Sequence, residues 1–123
     1  MEYMLVYKEL QATFDLRNDP AKAPEYWAAW GAYIGSMAAA GVTRGGNALQ
    51  PPHTATIVSV RDGHRQVQDG PYAETREHLG GYMILEVPSL DEALDWAARA
   101  PCATMGGSTE VRPVLPAPGK GKD

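Results

Sequence analysis

Apolar and polar positions divide the first part of the 123-residue chain into a strand, a polar connection and a long helix. Residues 3–8 are dense in Tyr, Met, Leu and Val, which favours a buried strand over a helix of this length. Residues 11–23 are more polar and contain the turn signature Asn18-Asp19-Pro20. Helical spacing of apolar residues follows over 24–40, with Pro24 suited to the first turn and Gly41 to the end.

The predicted helix has two adjoining apolar stripes. One stripe, which we expect to lie on a sheet because its members step by three and four residues, consists of Trp27, Trp30, Ile34, Met37 and Gly41. The second consists of Tyr26, Ala29, Tyr33 and Ala40. Together they make a wider apolar arc than one sheet requires. The excess could pack in the core, line a pocket or meet another subunit.

The middle of the chain reads as a loop, a short edge strand and a hairpin. Residues 44–47 are a Gly-rich loop, and 48–50 are a brief edge strand that Pro51-Pro52 ends. Residues 54–60 and 64–68 flank Asp62-Gly63, the preferred pair for a two-residue primed turn.

The last part predicts a strand, a helix and a strand. Residues 82–87 contain few polar side chains and are expected to form a central strand. Ser89 and Glu92 have the spacing of a capping box at the start of a helix over 90–99, whose sheet-facing stripe is Leu90, Ala93, Leu94 and Ala97. Residues 109–114 alternate as a strand.

This order of elements predicts an α+β fold, a ferredoxin-like βαββαβ sandwich with an extra strand from the hairpin and both helices on one sheet face. The other face, expected to be lined by alternate residues such as Thr56 and Val58, needs a cover, and a second copy of the chain could supply it. We therefore expect a homodimer. Residues 1–115 are expected to form one domain, and 116–123, rich in Pro, Gly and Lys, a disordered tail.

The composition of the chain limits the binding partners, the cellular location and the cofactors that can be expected. The formal net charge is −4 and no run of lysine and arginine occurs, so nucleic acid is not an expected partner. The N-terminal stretch lacks the basic region of a secretory signal, and no stretch suggests a membrane span, so we expect a cytoplasmic protein. The single cysteine, Cys102, is expected to fill core space. No metal-site spacing or nucleotide fingerprint occurs, so no cofactor is predicted.

Candidate chemistry concentrates in residues 69–81, between two predicted strands. Asp69 could act as a general acid or base, or could simply bond backbone amides as a turn residue. His78 and Glu74 are four residues apart, so on a short helical turn they could form an acid–base pair or an ordinary surface pair. Arg76 could hold a carboxylate, unless Glu74 and Glu77 neutralise it. Tyr72 and Tyr82 add phenols, which with Arg76 and Glu77 complete the predicted substrate-binding set.

Residues 69–77, DGPYAETRE, resemble the signature DGPFAETKE of the DGPF branch of the YCII-related proteins, with Tyr72 and Arg76 as the two departures. Segments 79–82, 90–94 and 110–113 extend the resemblance over most of the chain. It implies a ferredoxin-like fold that dimerises as an α+β barrel. The broader family includes small-molecule lyases and is thought to use a histidine from the first helix with an aspartate, yet residues 24–40 contain no histidine.

Three functions remain open. The first is a cofactor-free enzyme of lyase type that acts on a small polar organic ligand through Asp69, His78 and Glu74. The second is a small-molecule-binding or regulatory protein, which the resemblance suggests could be a partner of an extracytoplasmic-function sigma factor. The third is a structural dimer in which the 69–78 loop is a rigid surface feature.

Overall fold

The computed structural model describes residues 1–117, which fold into strands connected by helices and a hairpin. The strands are β1 (Glu2–Leu10), β2 (Thr43–Ala48), β3 (Thr56–Arg61), β4 (His64–Asp69), β5 (Glu77–Glu86) and β6 (Ser108–Pro113). The helices are α1 (Gln11–Asp15), α2 (Ala23–Ala39), α3 (Leu90–Ala98) and α4 (Pro101–Thr104), and 3₁₀ turns occupy Leu16–Asn18 and Pro52–Thr54.

The main sheet is antiparallel and has the strand order β2-β5-β1-β6. Within the sheet Leu5 pairs with Met83 on one side and with Val111 on the other. With α2 and α3 as the two crossovers, this order is that of the ferredoxin-like fold. The fold class predicted from the sequence is therefore confirmed.

One face of the sheet forms the core with the helices. Tyr3, Leu5 and Tyr7 on β1 are buried in one cluster with Met37 of α2 and Ala97 of α3. Since strand residues alternate between faces, every second residue of β1 points toward the helices, and this series continues to Glu9. The intervening residues of β1 are half-buried on the opposite face.

The hairpin forms at the predicted residues but does not join the main sheet. Asp62 and Gly63 both have positive φ, 51° and 76°, as a type I′ turn requires. However, β3 and β4 pair with each other as a separate two-stranded sheet, so the hairpin adds no strand to the main sheet. The edge position beside β5 is taken by β2, and the 3₁₀ turn at Pro52–Thr54 separates β2 from the hairpin. Thr56 and Val58 therefore do not line the main sheet.

Two further predicted boundaries were wrong. Residues 44–47, expected to be a loop, belong to β2, because glycine allows close backbone approach: a Cβ on Gly46 would lie 2.2 Å from the Tyr82 carbonyl oxygen. Residues 11–18, expected to be an irregular connection, form α1 and a 3₁₀ turn, and the side chains of Thr13 and Phe14 are buried there.

The helix faces also differ from the expected stripes. On α2 the fully buried residues are Tyr26, Tyr33 and Met37, whereas Trp27 is 42% exposed. Of the second stripe only the two tyrosines thus pack in the core, while its two alanines are exposed. Of the first stripe Met37 is buried, and Trp30 and Ile34 are half-buried against the core. On α3 Ala93 and Ala97 are buried, while Leu90 and Leu94 are 48% and 45% exposed.

Two local predictions are confirmed. The Ser89 side chain accepts a hydrogen bond from the Glu92 backbone N–H at the start of α3. Cys102 is fully buried, as expected of a core residue. Within residues 1–117, no helix is long and apolar enough to cross a membrane. The predicted tail falls largely on residues 118–123, outside the part that the structure describes.

Candidate functional site

A cleft of about 400 Å³ opens between α2 and the edge of the sheet formed by β2 and β5. Its walls are almost entirely apolar. The residues that line it are Tyr7, Arg17, Trp27, Trp30, Gly31, Ile34, Gly46, Asn47, Ala48, Gly80, Gly81, Tyr82 and Met83. The aromatic excess of α2 thus lines a pocket, which was one of the alternatives left open by the sequence.

A β-bulge shapes the floor of this cleft. Tyr7 pairs with Gly81 and Lys8 with Leu79, so Gly80 has no partner on β1. A Cβ on Gly80 would lie 2.9 Å from Glu9 Oε1 and 3.1 Å from Phe14 Cζ. Glycine at this position therefore lets the β5 backbone approach a carboxylate and an aromatic ring buried beneath the sheet edge.

The wall formed by α2 is aromatic. The Trp30 ring stands edge-on to Tyr7 with centroids 4.9 Å apart, and the Trp27 ring stands edge-on to Tyr26 at the same distance. Trp30 Nε1 is buried and has no hydrogen-bond partner among the residues that the structure describes. Such walls suit a flat, mainly apolar ligand, because aromatic rings offer large contact area at fixed geometry.

A buried polar cluster adjoins the cleft through Arg17. We call it the Glu9 cluster and define it as Glu9, Arg17 and Tyr26. Glu9 is 1% exposed. The Tyr26 hydroxyl lies 2.8 Å from both oxygens of its carboxylate. Arg17 donates from Nη2 to Glu9 Oε1 at 3.3 Å and from Nε to the Tyr26 hydroxyl at 3.2 Å. The carboxylate is thereby paired and hydrogen-bonded, as a buried charge must be.

Arg17 is the member of the cluster that reaches the cleft. Its Nη1 donates to the Leu49 carbonyl at 2.6 Å. The guanidinium carbon lies 4.8 Å from the ring centroid of Phe14 and 4.9 Å from that of Trp27. Cation–π contacts and three hydrogen bonds hold the planar group in one orientation. Two of its five N–H donors have no partner in the described residues.

A second polar feature is a chain of tyrosine hydroxyls. Tyr33 donates to the Trp96 carbonyl at 3.0 Å, and its oxygen lies 3.1 Å from the Tyr7 hydroxyl. Since the one Tyr33 proton goes to the carbonyl, Tyr7 is the donor between the two phenols. Burial raises the pKa of Tyr7 far above its ordinary value, so this phenol is neutral at physiological pH. Burial also raises the pKa values of Tyr26 and Tyr33 to about 12.

Most of the predicted catalytic and binding residues lie away from the cleft. Asp69 ends β4 and is exposed, as are Glu74 and Arg76 in the following loop, and Tyr72 is 50% exposed. Tyr72 borders a second, more polar depression on one face of the hairpin. The structure therefore places this loop on the surface of the single chain.

The predicted helical turn that would pair Glu74 with His78 does not form, because β5 begins at Glu77 and extends the backbone there. His78 instead pairs in register with Glu9, and its ring stands 6.3 Å from that of Phe14. It is the predicted catalytic residue that lies beside the Glu9 cluster.

The remaining two predicted residues have separate environments. Glu77 accepts a hydrogen bond from the Ser108 hydroxyl, which ties β5 to the start of β6. Tyr82 lines the cleft, and its hydroxyl accepts from Asn47 Nδ2 at 3.0 Å.

Sequence reasoning missed Glu9 and Arg17. One signal was present: Tyr3, Leu5, Tyr7 and Glu9 alternate along β1, which places a carboxylate on the core face. A charged residue at such a position needs a partner. Nothing in the spacing identified Arg17, which lies in a 3₁₀ turn that was not predicted, directly after a short helix that was not predicted either.

Comparisons with known proteins agree with the architecture. Over 67 residues the chain is 43% identical to an uncharacterized protein of Rhizobium meliloti, and the matched stretch makes up 54% of each of the two chains. The fold of the present chain is similar to that of 5-chloro-2-hydroxyhydroquinone dehydrochlorinase from Burkholderia phenoliruptrix, solved with 2,5-dihydroxybenzoquinone. The TM-score is 0.55, the identity is 18%, and the match covers 96% of the present chain and 97% of the dehydrochlorinase chain. The model of the YCII-related domain matches residues 1–118, and the chain belongs to that family.

Proposed function

We propose that this protein binds a small, planar organic molecule in the cleft between α2 and β5. The observation that carries the proposal is the cleft itself: its volume, its aromatic wall, and the two N–H donors of Arg17 that have no partner within residues 1–117. Ligand sites are commonly apolar cavities with a few convergent polar groups. The similar dehydrochlorinase, solved with a planar quinone, supports a ligand of this general kind.

A pair of helix variants tests this proposal. Gly31 lines the cleft and Gly35, one turn later, does not, and a Cβ at either position would meet no atom within 4 Å. Both glycines therefore accept a side chain without a clash at Cβ, but only Gly31→Phe should fill the cleft. Planar aromatic fragments should bind the natural protein in ligand-observed NMR, lose binding in Gly31→Phe and keep it in Gly35→Phe. Equal binding to both variants, or binding of no fragment, would count against the cleft.

Turnover by acid–base catalysis without a cofactor is a second candidate, and the position of His78 opposite Glu9 favours it. Imidazole is the side chain best suited to move a proton near neutral pH. We propose His78 as the proton carrier, while Asp69 and Glu74 would take part only if the surface loop lies against a ligand in an assembly. Arg76, Tyr72, Tyr82 and Glu77 would then be the residues that contact it.

Product formation from a bound fragment distinguishes an enzyme from a binding protein. His78→Gln should abolish turnover and leave fragment affinity within about twofold. Asp69→Asn should weaken binding or turnover with little change in stability if the loop serves the site, whereas strong destabilisation would identify Asp69 as a turn residue. A fragment that binds and stays chemically unchanged would favour the binding role.

We also propose that the chain forms a homodimer through the sheet face opposite the helices. Met4, Val6 and Ile84 are half-buried on this face, and Met4 pairs with Ile84 across β1 and β5. Charged side chains border this apolar patch on one side. Lys8 and Arg112 each form an ion pair with Glu110, at 2.8 and 2.6 Å respectively. An apolar centre with a polar rim is typical of subunit interfaces.

Sedimentation velocity tests the dimer. Ile84→Glu should shift the protein to monomer, while Leu94→Glu, on the exposed side of α3, should not. A natural protein that is monomeric at tens of micromolar would contradict the proposal.

The comparisons give no support to an association with a sigma factor. The single domain and the cytoplasmic location stay predictions.

A further inference from the structure

The Glu9 cluster places two opposite charges beside the cleft, one of them on Arg17, which lines it. Glu9 and Arg17 form an ion pair with side chains 1% and 9% exposed. Within residues 1–117, Arg17 is the only cation within 4.0 Å of the Glu9 carboxylate. The positive charge that would attract an anionic ligand is therefore already cancelled inside the protein.

We infer that the cleft selects a neutral carbonyl compound over a carboxylate, and that Glu9 sets this preference by neutralising Arg17. The inference rests on the proposed function, because it assumes that a small planar molecule occupies the cleft. It adds the class of ligand and a specificity-determining role for a residue that does not itself line the cleft.

Arg17 is positioned to donate to one acceptor oxygen. Its Nε, Nη1 and Nη2 are each held by a protein acceptor, on Tyr26, Leu49 and Glu9 respectively. The two N–H groups left over belong one to Nη1 and one to Nη2. Donors fixed in advance cost little ordering entropy on binding, so a carbonyl oxygen that reaches one of these N–H groups gains a hydrogen bond at small entropic cost.

A carboxylate at the same place would meet the charge of Glu9. Both anions would share one guanidinium in a site walled by aromatic rings, where the effective dielectric constant is far below that of water. Glu9 cannot turn toward solvent, because Tyr26 and Arg17 hold both of its oxygens in the core. We expect the repulsion to lower the affinity of a carboxylate at least about tenfold relative to an uncharged analogue.

Tyr7, which also lines the cleft, contributes no charge to it. Its hydroxyl donates to Tyr33, which donates in turn to the Trp96 carbonyl, so the phenol keeps its proton. Arg17 and Glu9 therefore set the charge that a ligand meets beside the cleft.

Two probes of equal shape test the inference, namely 4-hydroxybenzamide and 4-hydroxybenzoate at pH 7, with binding measured by isothermal titration calorimetry. The natural protein should bind the amide at least about tenfold more tightly. Equal or tighter binding of the benzoate would overturn the inference without any variant. If neither probe binds while other fragments occupy the cleft, the inference fails and the proposed function stands. If no fragment binds the cleft, the proposed function fails as well.

Glu9→Gln then tests the role assigned to Glu9. This variant keeps the size of the side chain and leaves Arg17 with an uncancelled positive charge, so the preference should reverse in favour of the benzoate. Glu92→Gln, which removes the same charge from the exposed start of α3, should keep the preference of the natural protein. Thermal unfolding checks that both variants fold. A folded Glu9→Gln protein that still prefers the amide would refute the role of Glu9. If the variant does not fold, the relative affinity of the natural protein for the two probes decides whether the inference holds.

Discussion

Tyr26→Phe is the substitution whose effect on stability follows most directly from the Glu9 cluster. The change removes one hydroxyl and keeps the ring that packs against Trp27. That hydroxyl contacts both oxygens of Glu9 and accepts from Arg17 Nε. Loss of the hydroxyl leaves a buried carboxylate and a buried guanidinium each with one hydrogen bond fewer.

The magnitude can be worked from these contacts. A hydrogen bond to a charged group contributes about 1.5–3 kcal/mol, and the Glu9–Arg17 ion pair itself remains. We therefore expect Tyr26→Phe to lower the free energy of unfolding by about 2 kcal/mol. A chain of this length unfolds with an entropy of about 0.26 kcal/mol/K, so the midpoint temperature should fall by about 8 °C.

Thermal and urea denaturation followed by circular dichroism measure this change. Tyr72→Phe is the matched control, because Tyr72 is half exposed and its hydroxyl makes no hydrogen bond within the described part of the chain. The control should lie within about 0.5 kcal/mol of the natural protein. If the two variants unfold at the same midpoint, the cluster does not stabilise the fold and the reasoning from its hydrogen bonds is refuted.

Three further predictions concern the fold. Gly80→Ala should destabilise the protein by about 1–3 kcal/mol, because its Cβ would overlap buried atoms. Gly35→Ala should stabilise it by about 0.5–1 kcal/mol, because alanine favours the helix and its Cβ would meet no other atom. Urea denaturation measures both changes, and opposite signs would contradict them. Ser89→Ala should cost about 1 kcal/mol by removing the cap of α3, and an unchanged unfolding midpoint would contradict this. Burial raises the pKa values of Tyr26 and Tyr33 from 10.0 to about 12, so their neutral forms stabilise the fold below pH 10 and this contribution is lost as the pH rises through 12. Tyrosinate absorbance and circular dichroism should therefore change together in that window, and titration of every tyrosine near 10 in a folded protein would contradict it.

The sequence by itself determined the features that depend on neighbouring residues. The Asp62-Gly63 turn forms because both positions adopt positive φ, and the cap of α3 forms because Ser89 and the Glu92 backbone are one helical turn apart. The density of Tyr, Met, Leu and Val over residues 3–8 likewise predicted a buried strand. These local signals, together with the resemblance of residues 69–77 to a known signature, were enough for the fold class and the family.

Tertiary structure decided how the elements meet. Both stripes of α2 are apolar, so only packing against the sheet determines that Tyr33 enters the core while Trp27 lines the cleft. The hairpin could have joined the main sheet, but β2 occupies the edge beside β5. Neither outcome could be read from periodicity, because each depends on competition between surfaces of similar composition.

The candidate site was likewise located only in part by the sequence, and its contacts were decided by the tertiary structure. Polar density along the chain pointed to Asp69 and its loop, which lies on the surface of the single chain. The polar residues that meet beside the cleft are Glu9, Arg17 and Tyr26, which belong to a strand, a 3₁₀ turn and a helix, and Arg17 is the one that lines the cleft. Their contacts arise only when the bulge at Gly80 and the burial of Phe14 bring these elements together. A sequence specifies which side chains can pair, but the packing of separate elements decides which of them do.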